Sequence, residues 1–135
     1  MQTTRNTDEI WDRIKVLLAP SVWLEAWGVV VTEAQLRGIP VIASNAGGLR
    51  EAKIGLPYCI PVNLVSGQHV QRNANPQYVE PEQDITPWVD AVRELMTDNA
   101  KYTEIANLTA STAVKWVKEL DERAHEKWFL SMMNA

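Results

Sequence analysis

The sequence has one cysteine and two histidines, and this scarcity limits the chemistry that it can carry. A single thiol, Cys59, cannot form an intramolecular disulfide. Neither Cys59 nor His69 and His125 has neighbours at metal-ligand spacing, so we expect no metal and no other cofactor. Because Cys59 lies in an apolar stretch, we interpret it as a small buried hydrophobe.

Long apolar runs and an excess of basic residues are also missing. No run approaches the ~18 apolar residues of a membrane span, and the polar start of the chain has no signal-peptide core. We therefore expect a cytoplasmic protein without a membrane span. Thirteen Lys and Arg against seventeen Asp and Glu give a net charge of −4. This balance argues against nucleic acid as a partner, because phosphate binding needs a concentrated basic face.

What the sequence does contain is typical of one globular α/β domain. Hydrophobic residues make up 46% of the 135 residues and charged residues 22%, which is an ordinary composition for a soluble domain of this length. Two short aliphatic runs, at 14–19 and 40–44, each end in a small polar residue. Such runs predict buried parallel strands that are covered on both faces. A third run at 58–62 is flanked by Pro57 and interrupted by Pro61, which predicts an edge or irregular strand.

The predicted helices lie before, between and after these strands. A short helical segment is expected at 8–13, capped by Thr7 or Asp8. Between the first two strands, a crossover helix starting near Gly28 and ending at Gly38 fits a parallel pair. The β-propensity of the three valines at 29–31 leaves a strand there as an open alternative.

The second half of the chain divides into a polar loop and a helical tail. Residues 63–85 are polar and lack periodicity, which predicts a long loop. Thr86 and Pro87 predict a helix start, with Thr86 as the cap. This helix is the first of three amphipathic helices that we predict in the tail. We thus expect a single domain over 1–135, with an α/β core at 1–62, the loop at 63–85 and helices at 86–135.

One ordered set of residues in the first half points to chemistry. Two glutamates, Glu25 and Glu33, are separated by seven residues, with the aromatic-glycine pair Trp27-Gly28 between them. The complete set runs in this order: Pro20-Ser21, Glu25, Trp27-Gly28, Glu33, Gly38, Pro40-Val41, Gly47-Gly48 and Glu51. This set resembles the donor-binding half of a retaining glycosyltransferase of glycosyltransferase family 4, whose GT-B fold has two Rossmann-like domains. The resemblance implies a partial Rossmann-like fold, corresponding to the C-terminal half of GT-B.

The resemblance also implies roles for individual residues. Glu25 takes the catalytic position and orients a hydroxyl of the transferred sugar, while Glu33 holds the ribose. The donor-binding set that it implies is Trp27, Gly28, Val29, Glu33, Gly47, Gly48 and Glu51. Independently of the resemblance, a helix N-terminus near Gly28 suits a diphosphate, because its N–H groups are unpaired and its dipole end is positive. For Trp27, core packing and a sugar-site wall are equally compatible with the sequence. Glu51 is expected to fix its loop by accepting backbone hydrogen bonds.

The expected partners are a nucleotide-diphosphate sugar and an acceptor that the sequence does not identify. We expect a truncated donor-binding domain that is inactive alone. The N-terminal domain of the complete enzyme is then either missing or carried by a separate subunit. The apolar C-terminal residues Trp128, Phe129, Met132 and Met133 would then be exposed, as would a sheet edge, which predicts a homo-oligomer. Two alternatives remain, a non-catalytic oligomerisation or docking module and a nucleotide-sugar epimerase fragment.

Overall fold

A computed structural model describes residues 7–65 and 81–133. His69, the first six residues and most of the predicted loop at 63–85 lie outside these ranges. The two described ends of that loop are joined, since the Asn63 N–H donates to Gln83 Oε1 at 2.9 Å and Gln83 Nε2 donates to the Asn63 carbonyl at 2.7 Å.

The described residues form an α/β structure with a short parallel sheet. Its elements in chain order are α1 (Asp8–Trp11), β1 (Leu17–Ala19), α2 (Val29–Leu36), β2 (Val41–Ser44), α3 (Gly48–Ala52), β3 (Cys59–Ile60), α4 (Thr86–Thr97), α5 (Asn99–Glu119) and α6 (Ala124–Met133). The strand order is β1-β2-β3, with both pairs parallel. This arrangement confirms the expected fold class, a short parallel sheet flanked by helices with a helical C-terminal tail.

The central strand β2 is buried on both faces, as its continuous apolar sequence predicts. Alternate residues of a strand point to opposite faces. Val41 and Ala43 join one core cluster with residues of α2 and α3, whereas Ile42 joins a second cluster with residues of α4 and α5. The sheet therefore lies between two helical layers. No helix among the described residues is long and apolar enough to cross a membrane.

The valine-rich connection is a helix rather than a strand. Gly28 has a φ of +82°, and Val31 N–H donates to its carbonyl at 2.9 Å. Helical spacing buries Val31 and Ala34 against the sheet and leaves Val29 exposed. Packing of this face therefore outweighs the β-propensity of the three valines.

Several element boundaries differ from expectation. β1 begins at Leu17 and β3 covers only two residues, so both outer strands are shorter than predicted. The expectation that Thr86 caps α4 was wrong: Thr86 is the first helical residue, and its N–H donates to Asp84 Oδ1 at 2.9 Å. At α1, Thr7 is the N-cap residue, and its side chain makes no capping hydrogen bond.

Cys59 is only partly buried, so its interpretation as a buried core residue was wrong. β3 is an edge strand of two residues and leaves one side of Cys59 uncovered. Burial nevertheless raises the pKa of the Cys59 thiol. The neighbouring side chain of Lys53 is 2% exposed, and its Nζ donates to the Val41 carbonyl.

Candidate functional site

The loops that follow β1 and β2 meet at the carboxyl end of the sheet. Ser44 Oγ donates to the Ala19 carbonyl at 3.4 Å, which links the two strand ends. Further along the two loops, the Gly48 N–H donates to the Glu25 carbonyl at 2.7 Å. The two loops therefore form one surface at the edge where open parallel sheets usually bind ligands.

Gly47 and Gly48 are required for this close approach. A Cβ on Gly47 would lie 2.6 Å from the Glu25 carbonyl oxygen, and one on Gly48 would lie 2.1 Å from that of Ala26. Both distances are far below van der Waals contact, and the atoms met are backbone. The glycines thus allow the second loop to lie directly against the first.

An open cleft of about 750 Å³ lies between the end of β1, the Glu25 loop and the start of α2. Its lining is mostly apolar. The lining residues are Leu17, Leu18, Ala19, Pro20, Ser21, Glu25, Ala26, Trp27, Gly28, Val29, Val30 and Leu49. Four of the residues predicted for the site, Glu25, Trp27, Gly28 and Val29, are therefore brought together in one cleft.

Glu25 supplies the charge in this lining. Its side chain is held from one side, because Ser21 Oγ donates to Glu25 Oε1 at 3.1 Å. The Ser21 hydroxyl is itself held in place, because the Trp23 N–H donates to Ser21 Oγ at 3.3 Å. The carboxylate thus keeps acceptor capacity toward the cleft. The sequence predicted Ser21 only as a strand end. Its position four residues before Glu25 was the available sign that the two side chains could contact each other.

The start of α2 forms another side of the cleft. Gly28 is left-handed and precedes the first helical residue, Val29. The first N–H groups of an α-helix have no intrahelical acceptor, and the helix dipole is positive at this end. Val29 and Val30 are 64% and 43% exposed and line the cleft. This side therefore combines backbone donors with an apolar surface.

Glu33 does not line the cleft. It is exposed on α2, four residues beyond Val29 and three beyond Val30. Residues at these spacings share one face of a helix. Glu33 therefore lies about 6 Å along the helix axis from Val29, on the face that continues out of the cleft.

Trp27 lies between the cleft and the core. It lines the cleft, and its ring also packs against the core cluster of α2 and α3. Its Nε1 donates to Thr32 Oγ1 at 3.0 Å, and its ring stacks on Trp116 of α5, with centroids 6.0 Å apart and an angle of 21° between planes. The sequence predicted Trp116 only as a member of the apolar face of an amphipathic helix.

The glycine loop and Glu51 differ from expectation in detail. The Gly48 N–H is already bonded to Glu25, so it does not face a ligand. The Glu51 side chain is exposed on α3, and no backbone N–H within the described ranges donates to its carboxylate. The expectation that Glu51 fixes the loop was therefore wrong. Glu51 is the fourth residue of α3, one position beyond the place from which a glutamate reaches back to its helix start.

The comparisons with known proteins concern the same part of the chain. Residues 2–54 match the family described as "Glycosyl transferases group 1". A 36-residue segment is 58% identical to the "Uncharacterized 41.2 kDa protein in cps region" of Klebsiella pneumoniae. That match covers 27% of this chain and 10% of the relative, so it spans about a tenth of the relative's length. Every residue that lines the cleft falls within 2–54, and this cleft-forming segment is therefore similar to glycosyl transferases of group 1.

Proposed function

We propose that the cleft binds a nucleotide-diphosphate sugar and serves retaining transfer of the sugar to an acceptor hydroxyl. The observation that carries the proposal is the joining of the Glu25 loop and the start of α2 into one cleft by Gly47 and Gly48. This cleft lies within the segment that is similar to glycosyl transferases. Its position at the carboxyl end of parallel strands suits a nucleotide ligand.

The diphosphate is proposed to lie at the start of α2. Backbone N–H groups and the positive dipole end favour an anion there, and the lack of a Cβ on Gly28 lets Leu49 pack against the start of the helix. The transition state of transfer places negative charge on the departing diphosphate. Preorganised donors that face this charge lower the barrier, which gives Gly28 and Val29 their proposed donor-binding role.

The two glutamates are proposed to bind different hydroxyl groups of the donor. Glu25, fixed by Ser21, faces the cleft and takes the catalytic position by orienting a hydroxyl of the transferred sugar. Glu33 lies further along the exposed face of α2, where its carboxylate can accept two hydrogen bonds from a ribose diol. Trp27, Gly47 and Gly48 shape the wall behind Glu25, and Glu51 borders the glycine loop.

This chain by itself is proposed to bind donor weakly and not to turn it over. The described lining of the cleft contains no cationic side chain, whereas a diphosphate is held most strongly by lysine or arginine. The cleft is also open to solvent, so water competes for every polar contact. We therefore expect dissociation constants near the millimolar range.

Titration calorimetry with UDP, GDP, ADP and their glucose conjugates tests the proposal. At least one member should bind at millimolar concentration or below, and Glu33→Ala should weaken that binding tenfold or more. Glu122→Ala removes the same charge from an exposed turn and should leave binding unchanged. Absence of binding by every member, or equal losses in both variants, would contradict the proposed donor site.

A second candidate function, self-association, is favoured by one specific observation. Helix α6 has no buried residue, and its large apolar side chains, Trp128, Phe129, Met132 and Met133, are 56% to 81% exposed. Exposed apolar faces of this kind mark interaction sites. A homo-oligomer that buries α6 should sediment as more than one chain at micromolar concentration. A monomer that persists at high concentration would exclude this second function.

A further inference from the structure

We infer that α5 sets the shape of the cleft through Trp116, which acts as a positioning residue for Trp27 and the Glu25 loop. Trp116 lies 89 positions after Trp27 in the chain and outside the segment that matches glycosyl transferases. The inference rests on the proposed function only in its consequence for donor binding. Its structural part concerns the packing of α5 on α2.

Helix α5 packs along α2 in the antiparallel direction. At the end of α2, a Cβ on Gly38 would lie 3.3 Å from Ala110 Cβ and 3.7 Å from the Ala106 carbonyl oxygen. At the start of α2, Trp27 stacks on Trp116. Residues 106, 109, 113 and 116 are spaced so as to share one face of α5. This face therefore contacts both ends of α2.

The residues in the middle of this α5 face are small and buried. Thr109 and Ala113 are each 1% exposed, so the two helices approach closely between the two end contacts. Because α5 contacts α2 at both ends, one end of α5 cannot move alone without loss of packing between the two helices. Trp116 is thereby fixed in position and provides a rigid surface for Trp27.

Trp27 is restrained on two sides. The stacked geometry, with centroids 6.0 Å apart and planes at 21°, lies within the range of favourable aromatic pairs. The Thr32 hydroxyl accepts from its indole N–H at 3.0 Å. Removing the Trp116 ring leaves the hydrogen bond and the packing against the core cluster, but opens one face of the indole, which then gains freedom to rotate.

Movement of Trp27 would reach Glu25 through two residues of backbone. The Glu25 carbonyl is bonded to Gly48 N–H, and Gly48 lies against the Ala26 carbonyl. These contacts tolerate little displacement, because the loop is packed backbone against backbone. A shift at Trp27 therefore changes the Glu25 end of the cleft rather than being absorbed by side chains. Docking of α5 and binding in the cleft should consequently be coupled.

The first test needs no ligand. Hydrogen exchange of the Trp27 indole N–H, followed by NMR, should be at least tenfold faster in Trp116→Leu than in the unsubstituted chain. Trp116→Phe keeps an aromatic ring and should restore most of the protection. Trp88→Leu is the matched control, because Trp88 is also a partly buried helical tryptophan but packs on the other core cluster.

Unchanged exchange at Trp27 in Trp116→Leu, or an equal increase in Trp88→Leu, would overturn the inference. Should Trp116→Leu fail to fold, Trp116→Met replaces it, with a flexible side chain that fills the gap without a ring. The same tenfold increase is expected there. Protection equal to that of the unsubstituted chain would again overturn the inference.

The second test measures the consequence for binding. With the same panel of UDP, GDP, ADP and their glucose conjugates, Trp116→Leu should raise the dissociation constant tenfold, and Trp88→Leu should change it less than twofold. If the unsubstituted chain binds no member of the panel, the proposed function fails while the exchange experiment still decides the role of Trp116. If binding occurs and Trp116→Leu leaves it unchanged, the coupling is wrong.

Discussion

The loops at the carboxyl end of the sheet and helix α6 show opposite relations between sequence and packing. The loops meet at positions with little or no side chain, where Gly48 is buried and packs against the Ala26 backbone. Helix α6 carries the aromatic pair Trp128 and Phe129 and two methionines, yet none of its residues is buried. The contact between the two loops is therefore set by backbone fit, whereas α6 leaves its apolar side chains exposed.

The largest expected effect tests the backbone fit directly. Gly48→Ala places a Cβ 2.1 Å from the Ala26 carbonyl oxygen, and relieving this overlap requires the two loops to separate. We expect a loss of about 3 kcal/mol in the free energy of unfolding, measured by urea denaturation. Gly55→Ala is the matched control, because nothing lies within 4 Å of its Cβ position although its φ is +81°.

The control should lose only about 1 kcal/mol, the cost of a left-handed alanine. If Gly48→Ala loses no more than Gly55→Ala, the two loops are not packed as described. The comparison between the loops and α6 would then lose its basis.

At the opposite end of the sheet, the buried group is the side chain of Lys53 rather than a glycine. Burial lowers the pKa of Lys53 from 10.5 to about 8. The unfolded chain keeps this proton up to about pH 10.5 and the folded chain loses it near pH 8, so raising the pH between these values stabilises the fold. Between pH 7 and pH 9 the gain from this group should be about 1 kcal/mol.

The pH dependence is isolated by comparison with Lys53→Met. Burial raises the pKa of Cys59 and of Tyr58, and both groups therefore oppose the gain as the pH rises further. The Tyr58 contribution is common to both chains and cancels in the difference of their urea unfolding free energies. Because Lys53 and Cys59 interact electrostatically, both chains are compared in a Cys59→Ala background. An identical pH dependence in the two chains would show that folding does not lower the pKa of Lys53.

The smallest effect is expected in α6. Trp128→Ser removes a large side chain that is 56% exposed and contacts the Phe129 ring of the same exposed helix. Because no buried residue is uncovered, the unfolding free energy should change by less than about 0.5 kcal/mol at low concentration. Trp116→Ser, on the packed helix α5, should lose more. A large loss for Trp128→Ser in dilute monomer would show that α6 packs on the rest of the chain.

The sequence predicted the fold class because the fold class depends on local patterns. Continuous apolar runs identify strands buried on both faces, and β2 is such a strand. The ordered glutamates and glycines placed Glu25, Trp27 and Gly28 in one cleft. The helix at the three valines could not be decided from propensity, since burial of Val31 and Ala34 against the sheet determines it.

The contacts between distant parts of the chain could not be predicted. The Trp27–Trp116 stack depends on the direction in which α5 crosses α2, and no local pattern encodes that direction. The use of the Gly48 N–H by Glu25 depends on the fit of two loops. Glu33 lies outside the cleft lining because the helix turns it along the exposed face, which spacing alone leaves open.

The most direct measurement of the central claim is an amide NMR titration of the chain with the nucleoside diphosphates and sugar conjugates named above. The account predicts that the saturating shifts cluster at Ser21, at Glu25 to Val30 and at Gly48, the residues that build the cleft. It also predicts that α6 stays unshifted. Shifts confined to α4 or α6, or none with any member at millimolar concentration, would contradict a donor site between the two loops.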